Sequence, residues 1–301
     1  MRPPRWTLRK VPEITAYFWI LKVLTTAMGE ATSDFFVHEI DPYVAVGLGA
    51  VAFAAAMVLQ LSVRRYIAWV YWLAVVMVAV FGTMVADALH IQLGVPYAVS
   101  TAGFAIALTA IFIAWYATER TLSIHHITTM RRELFYWATV CATFALGTAA
   151  GDFTAYTLHL GFLASGIMFA VVIAVPALTH RFAALNAVVA FWFAYIITRP
   201  LGASFADWMG VPHALGGLNW GRGTVSVGLT IVIAGFVAYI SVSRVDVAER
   251  SEPKPSPNRP EPAVRLGNWC EAGVQGRPDA APGDSLMTGY PRREIEGSAR
   301  A

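Results

Sequence analysis

The chain has 301 residues, of which 57% are hydrophobic and 14% are charged, and its mean hydropathy is +0.56. Soluble domains are usually about 45–50% apolar and about 25% charged, so this composition excludes an ordinary soluble domain and indicates an integral membrane protein. The net charge of +3 gives no reason to expect nucleic-acid binding, and the two cysteines, Cys141 and Cys270, provide neither a disulfide framework nor a CxxC metal site.

The N-terminal segment MRPPRWTLRKVPE is basic, and the long apolar run after it lacks a small-residue cleavage site, which predicts a retained first span. Eight apolar runs follow one another, each near the roughly 20 residues that cross the hydrocarbon core. Their continuous pattern favours helices over the alternating strands of a barrel. We predict an all-α integral membrane protein with transmembrane helices over residues 14–35, 44–63, 67–87, 97–117, 134–151, 161–179, 184–206 and 223–243.

Lysine and arginine concentrate in every second loop, which predicts the orientation of the chain. They lie before the first span, after the second, fourth and sixth spans, and beyond the eighth: Arg2, Arg5, Arg9, Lys10, Arg64, Arg65, Arg120, Arg131, Arg132, Arg181, Arg244 and Arg250. The opposite loops carry only Arg222, with Arg199 near the outer part of span seven. Because cytoplasmic loops carry the excess of positive charge, both termini are predicted to be cytoplasmic.

The last fifty or so residues differ in composition from the membrane domain, which is predicted over residues 1–245. From about Glu249 the chain is rich in Pro, Gly, Arg and Glu and has no periodicity. Such a segment buries too little apolar surface to offset its ordering entropy, so residues 246–301 are predicted to form a disordered cytoplasmic tail. Within it, Trp269 and Cys270 are either an incidental pair or part of a short binding motif.

The odd-numbered spans repeat one motif, [FY]-W-x9-G-x4-D. Its tryptophans are Trp19, Trp72, Trp137 and Trp192, its glycines Gly29, Gly82, Gly147 and Gly202, and its aspartates Asp34, Asp87, Asp152 and Asp207. The sequence therefore predicts four tandem two-helix repeats over approximately residues 11–65, 66–120, 131–181 and 183–245. A unit with an even number of spans inserts in one orientation, which places the pseudosymmetry axis along the membrane normal.

Each motif position has an expected role. Tryptophans near the cytoplasmic end are typical interface anchors, an interpretation that suits the first three copies better than the deeper Trp192. The glycines suit the close approach of a neighbouring helix. The aspartates are expected near the outer interface. They either terminate their helices and pair with the ends of neighbouring helices, or they form a ring of carboxylates that attracts cations.

One histidine follows each motif aspartate: His38, His90, His159 and His213. Asp34 and His38 stand four residues apart, a spacing that places two metal ligands on one helical face. The spacing differs among the copies, so the histidines are not a strict part of the repeat, and His38 is the one candidate metal ligand among them.

The first repeat is the most polar, because Lys22, Thr26, Glu30 and Asp34 follow one another at intervals of four. The other copies have Val75, Val140 and Tyr195 in place of Lys22, and Thr83, Thr148 and Ala203 in place of Glu30. Span seven adds Arg199 before Pro200. Lys22 and Arg199 either neutralise Glu30 and the aspartates as stabilising ion pairs or belong to a translocation site; both interpretations stay open.

The segment KVPEITAYFWILKVLTTAMGEATSDF resembles the opening of a family of bacterial membrane-anchored proteins built from a repeated domain of unknown function. The resemblance rests on residues 10–13, Phe18-Trp19, Lys22 and Gly29-Glu30, and it extends over roughly residues 10–245. It implies a multi-span protein of the bacterial inner membrane and carries no biochemical activity with it.

The intramembrane carboxylates predict a cation transporter or channel, with a divalent metal ion as one candidate substrate. The lipid bilayer is its expected environment. The alternative is a non-transporting scaffold that binds partners through the tail. No enzyme and no cofactor are predicted, because the sequence has no nucleophile–base arrangement, HExxH or glycine-rich phosphate loop, and His125-His126 is expected to be solvated. The oligomeric state is left open.

Overall fold

The computed structural model describes residues 10–124, 127–182 and 186–246, without the side chains of residues 176–182. The predicted tail, including Trp269 and Cys270, and the pair His125-His126 lie outside the described residues, apart from Asp246. The described part of the chain is all-α and contains no strand. Its helices are α1 Ala16–Glu39, α2 Pro42–Ser62, α3 Ala68–Ile91, α4 Tyr97–Glu119, α5 Met130–Asp152, α6 Gly161–Phe182, α7 Ala187–Gly210 and α8 Arg222–Ser243.

Several helices begin at residues that satisfy the free N–H groups of the first turn. Asp41 accepts hydrogen bonds from the backbone of Tyr43 and Val44 at the start of α2, where Pro42 fits the first turn. Thr129 caps α5 and Asn186 caps α7 in the same way. The local sequence therefore sets where these helices start.

Six helices are long and apolar enough to cross a membrane: α2, α3, α4, α5 with the π-helical turn Phe153–Thr157 that continues it, α7 and α8. The described apolar part of α6, Gly161–Val175, is shorter. Helix α1 does not meet the same criterion, and it carries Lys22, Glu30 and Asp34. The helices α1, α3 and α7 continue about one turn past the predicted span ends, so their aspartates lie within the last turns of the helices and do not end them.

The four odd-numbered helices form a closed ring in which α1 packs on α3, α3 on α5, α5 on α7, and α7 on α1. Each even-numbered helix packs mainly on the odd helix that follows it, so α2 lies on α3, α4 on α5 and α6 on α7. The last helix, α8, lies on α1 and completes the circle. The apolar stretches of α2, α4 and α8 are only 17% buried, against 56% for α3 and α7, so the outer helices present apolar faces outward, as lipid contact requires.

The motif glycines lie where neighbouring ring helices come closest. A Cβ atom on any of them would overlap the residue seven positions after the motif tryptophan in the next repeat around the ring. The pairs are Gly29 with Ala79, Gly82 with Phe144, Gly147 with Arg199, and Gly202 with Thr26. The same contact therefore recurs at all four junctions, including the one that joins the last repeat to the first.

The motif aromatics fill the inside of one half of the ring. Trp72 and Trp137 are 2% and 3% exposed, and the ring of Trp137 lies 5.6 Å from that of Tyr71. The interface-anchor interpretation is therefore wrong for Trp72 and Trp137, because their helical face points to the neighbouring ring helices and not to the membrane surface. Trp19 is partly buried against the same core, and Trp192 is buried and donates a hydrogen bond to the backbone of Leu122.

Candidate functional site

A buried ion pair lies in the middle of the ring. Arg199 is fully buried, and its Nη2 donates hydrogen bonds to Glu30 Oε2 at 2.6 Å and to Thr148 Oγ1 at 2.7 Å. The Thr83 hydroxyl group donates a hydrogen bond to Glu30 and accepts one from Arg199. Arg199 Nη1 donates a hydrogen bond to the carbonyl oxygen of Thr26 at 3.1 Å. All four ring helices thus hold one guanidinium group.

The residues around Arg199 occupy equivalent repeat positions. Thr83 and Thr148 stand where the first repeat has Glu30, and both contact the guanidinium group. Sequence alignment of the repeats identified these threonines as counterparts of Glu30 but gave no signal that Arg199 binds them. A guanidinium group with several fixed donors matches such an array of oxygen atoms.

A carboxylate cluster, defined here as Glu30, Asp152 and Asp207, lies beside the ion pair. One oxygen atom from each residue lies within 4.8 Å of the other two. The three residues come from α1, α5 and α7, and Glu30 and Asp207 are buried. Asp87, the aspartate of the second repeat, lies on α3, the ring helix that contributes no residue to the cluster.

The aspartate of the first repeat has a different partner. Asp34 Oδ2 accepts a hydrogen bond from Arg222 Nε at 2.9 Å, at the start of α8. Thr32 and Ser226 form a second hydrogen bond between α1 and α8, 2.6 Å long. The charge of Asp34 is therefore balanced by the outer helix that closes the ring, whereas no ion pair is found for Asp87, Asp152 or Asp207 within the described residues.

Lys22 lies among aromatic rings and does not pair with a carboxylate. It is 1% exposed, and its Nζ lies 3.9 Å from the ring centroids of Phe144 and Tyr195. The nitrogen makes no hydrogen bond to any residue that the structure describes. Of the two cations expected to neutralise Glu30, only Arg199 does so.

The histidines lie apart from the carboxylate cluster. His38 is exposed, and its Nδ1 bonds the carbonyl oxygen of Asp34 at 2.7 Å. His90 and His213 likewise bond carbonyl oxygens of their own loops, those of Val95 and Gly217. His38 is therefore not part of the metal-type cluster that the described residues form.

Two polar residues at the other end of the ring were not singled out from the sequence. Tyr66, in the loop between α2 and α3, donates a hydrogen bond to Asp246 Oδ2, just beyond α8. Burial raises the pKa of Asp246 above its usual value, and the bond from Tyr66 acts in the opposite direction. Neither residue belongs to the repeat motif, so no periodic signal marks them.

A family model described as a Repeat of Unknown Function (DUF347) matches the chain four times, over residues 17–66, 70–121, 135–184 and 190–246. The chain belongs to the DUF347 family. This confirms the resemblance inferred from residues 10–245 and the fourfold internal repeat. No curated protein and no solved structure is significantly similar to the chain. The three residues of the carboxylate cluster belong to the first, third and fourth DUF347 repeats, so the cluster forms only when these repeats pack together.

Proposed function

We propose that this DUF347 protein transports a divalent cation across the bacterial inner membrane and is not an enzyme. The observation that carries the proposal is the carboxylate cluster, in which three oxygen atoms from three repeats lie within 4.8 Å of one another. Oxygen atoms at such a spacing can converge on one ion.

The charge balance of the cluster favours a divalent ion. Two carboxylates at 4.8 Å repel each other by about 3–4 kcal/mol at an effective dielectric constant of about 20. Arg199 offsets one of the three negative charges through Glu30, and Asp34 is already paired with Arg222. A bound ion with two positive charges would offset those of Asp152 and Asp207, and Asp87, for which no ion pair is found within the described residues, adds a further negative charge to the ring.

The ligand atoms favour a hard ion such as Mg²⁺, Ca²⁺ or Mn²⁺. The cluster offers carboxylate oxygens, and the histidines that would suit zinc or copper bond elsewhere. Ser33 and Ser204 add buried hydroxyl groups that find no hydrogen-bond partner among the residues that the structure describes. They stand three residues from Glu30 and Asp207, a spacing that places each on the helical face of its cluster residue.

The interior favours a carrier over an open channel. The aromatic half of the ring is filled by buried side chains, among them Tyr71, Trp72 and Trp137. A continuous pore would have to pass through this packing, whereas a carrier exposes its site to each side in turn. The π-helical turn after Asp152 is the kind of irregularity that often lies at functional sites.

Eight spans with both termini in the cytoplasm are part of the proposal. Six helices meet the length and hydropathy of a span, and the charges of α1 point into the ring, where they avoid lipid. The distribution of lysine and arginine supports the orientation.

Mg²⁺ binding to the purified protein in detergent, followed by isothermal titration calorimetry, tests the proposal. We expect Asp152→Asn and Asp207→Asn each to weaken binding at least about tenfold, because each removes a charged ligand. Asp41→Asn is the matched control, since Asp41 is exposed and caps α2. Uptake of Mg²⁺ into proteoliposomes should fall in the same two variants. Binding and uptake equal to those of the wild type would contradict the proposal.

A further inference from the structure

A row of buried tyrosines leads from Asp246 into the ring. Tyr66 donates to Asp246, and its ring packs edge-on against that of Tyr71, with centroids 5.7 Å apart. The hydroxyl groups of Tyr71 and Tyr136 form a hydrogen bond of 2.5 Å. With Tyr195, these residues are called the tyrosine row: Tyr66, Tyr71, Tyr136 and Tyr195.

The row ends at Lys22. The hydroxyl group of Tyr195 is buried and makes no hydrogen bond to any residue that the structure describes. The Lys22 amine lies over the ring of Tyr195. The path therefore has three gaps, between Tyr66 and Tyr71, between Tyr136 and Tyr195, and between Tyr195 and Lys22, and side-chain rotations would have to close them for a proton to pass. Phe144, the other ring against Lys22, has no hydroxyl group and cannot extend the path.

We propose that Lys22 is a proton-binding site loaded from Asp246 through the tyrosine row. The inference rests on the proposed function in one respect, since the bound proton then serves as the ion exchanged for the divalent cation. Proton binding by Lys22 stands on its own geometry.

The proton transfer leaves every tyrosine unchanged. Transfer requires Asp246 to be protonated and the Tyr66 hydroxyl, which donates to Asp246 in the structure, to turn toward Tyr71. The carboxyl group then gives a proton to the Tyr66 oxygen, and each tyrosine passes its own proton on as it accepts another. The Lys22 amine takes the last proton and becomes an ammonium group, and Asp246 regains a proton from water. The two aromatic faces then stabilise the ammonium group by cation–π contacts.

Asp246 and Tyr66 suit the entrance of this path. Burial raises the pKa of Asp246, so its carboxyl group holds a proton at higher pH than an exposed aspartate. Burial also raises the pKa of Tyr66, which keeps its hydroxyl group protonated.

The charges around Lys22 couple it to the carboxylate cluster. Lys22 and Arg199 of α7 both face the ring of Phe144, so their positive charges lie near one another, and Glu30, two turns along α1, is held by Arg199. The side chains facing Lys22 from α5 and α7 are the rings of Phe144 and Tyr195. Glu30 lies eight residues away, about 12 Å along the helix. At that distance each positive charge in the cluster opposes protonation of Lys22 about tenfold, so cation binding releases the proton.

The repeat explains why one proton is bound. Val75, Val140 and Tyr195 occupy the position of Lys22 in the other three copies. The proton site is therefore single, and it lies in the repeat that also supplies Glu30.

Nuclear magnetic resonance of protein labelled at lysine Nζ with ¹⁵N tests proton binding directly. The sequence has three lysines, Lys10, Lys22 and Lys254, and Lys22→Met assigns the signal. We expect the Lys22 signal to change from ammonium to amine as the pH rises, and saturating Mg²⁺ to favour the amine at least about tenfold. A Lys22 signal that stays in one form from acidic to alkaline pH would overturn the proposal.

Proton flux into proteoliposomes that contain a pH-sensitive dye tests the tyrosine row. Tyr136→Phe removes one hydroxyl group and keeps the ring, so we expect proton flux driven by a Mg²⁺ gradient to fall at least about tenfold while Mg²⁺ binding stays unchanged. The melting temperature should also fall, because the buried Tyr71 hydroxyl group loses its partner. Tyr239→Phe on α8 is the control, because its ring contacts Tyr17 outside the row. Wild-type proton flux in Tyr136→Phe would overturn the proposed path. Failure of wild-type protein to bind Mg²⁺ would instead refute the cation site, and the titration of Lys22 would still decide proton binding.

Discussion

At the position seven residues after the motif tryptophan, the four repeats carry Thr26, Ala79, Phe144 and Arg199. Each of these residues meets the glycine of the preceding repeat. Three are small or apolar, and only Arg199 brings a charge into the ring. In the first repeat, Glu30 pairs with this charge. Two changes on adjacent helices thus turn a symmetric scaffold into an asymmetric site.

The Arg199–Glu30 pair should be strongly coupled. Arg199→Gln leaves Glu30 buried without its cation, and we expect the free energy of unfolding to fall by about 3–5 kcal/mol. The double variant with Glu30→Gln should lose less than the sum of the two single changes, because neither charge is then left alone. Denaturant unfolding in detergent measures both. Arg131→Gln is the control, since Arg131 is 66% exposed and an ion pair at the surface contributes little to stability. Additive effects would contradict the coupling.

Asp246 should make stability depend on pH. Its pKa is raised in the folded protein, so it contributes stability that is present below its usual value of 3.8 and is lost as the pH rises through the raised value. Asparagine in place of Asp246 cannot ionise. We therefore expect the melting temperature of Asp246→Asn to fall less than that of the wild type as the pH is raised from acidic to neutral. Melting curves at several pH values measure the difference, and parallel profiles for the two proteins would show that the group does not contribute.

Among whole helices, close packing of the ring depends on the motif glycines. A methyl group at Gly202 would meet the Thr26 side chain and the backbone nitrogen of Ala27, which cannot move away easily. We expect Gly202→Ala to destabilise the protein by about 1–3 kcal/mol, measured by thermal unfolding. Gly103→Ala on α4 is the control, because open space surrounds that position and alanine favours a helix. Equal stability of the two variants would argue against close contact in the ring.

Hydropathy located the helices because every described helix carries an apolar stretch. It could not give the packing partners, since α2 lies on α3 of the next repeat and not mainly on α1. Which helix α2 packs against depends on how the side chains of the two helices fit together, and this fit produces no periodic pattern in the sequence of either helix. For the same reason, the alignment of the repeats identified Glu30 and the aspartates but did not reveal their neighbours. It gave no sign that Arg199 binds Thr83 and Thr148, or that Trp72 points into the ring.

For the whole molecule, the offset packing makes the ring circular. Each outer helix joins its own repeat to the next, and α8 joins the fourth repeat to the first. The two ends of the described membrane domain also meet, because the backbone nitrogen of Glu13 donates to the carbonyl oxygen of Asp246 at 3.0 Å. Every junction between repeats is thus bridged by an outer helix, and the position of the chain ends is not essential to the architecture.

A circular permutant tests this circularity. The chain would begin at Arg65 in the exposed loop between α2 and α3, continue to Asp246, and pass through a short glycine linker into Lys10 and on to Arg64. It keeps an even number of helices before and after the junction, so every helix retains its orientation. We expect it to fold with a melting temperature within a few degrees of that of the unpermuted chain of residues 10–246, because termini at exposed loops are well tolerated. A second permutant opened inside α3, between Val78 and Ala79, should fail to fold, since it breaks a buried helix of the ring. Misfolding of the first permutant would mean that the order of the repeats along the chain determines the ring and that its closure by α8 does not. A stable second permutant would mean that the ring does not need an unbroken α3.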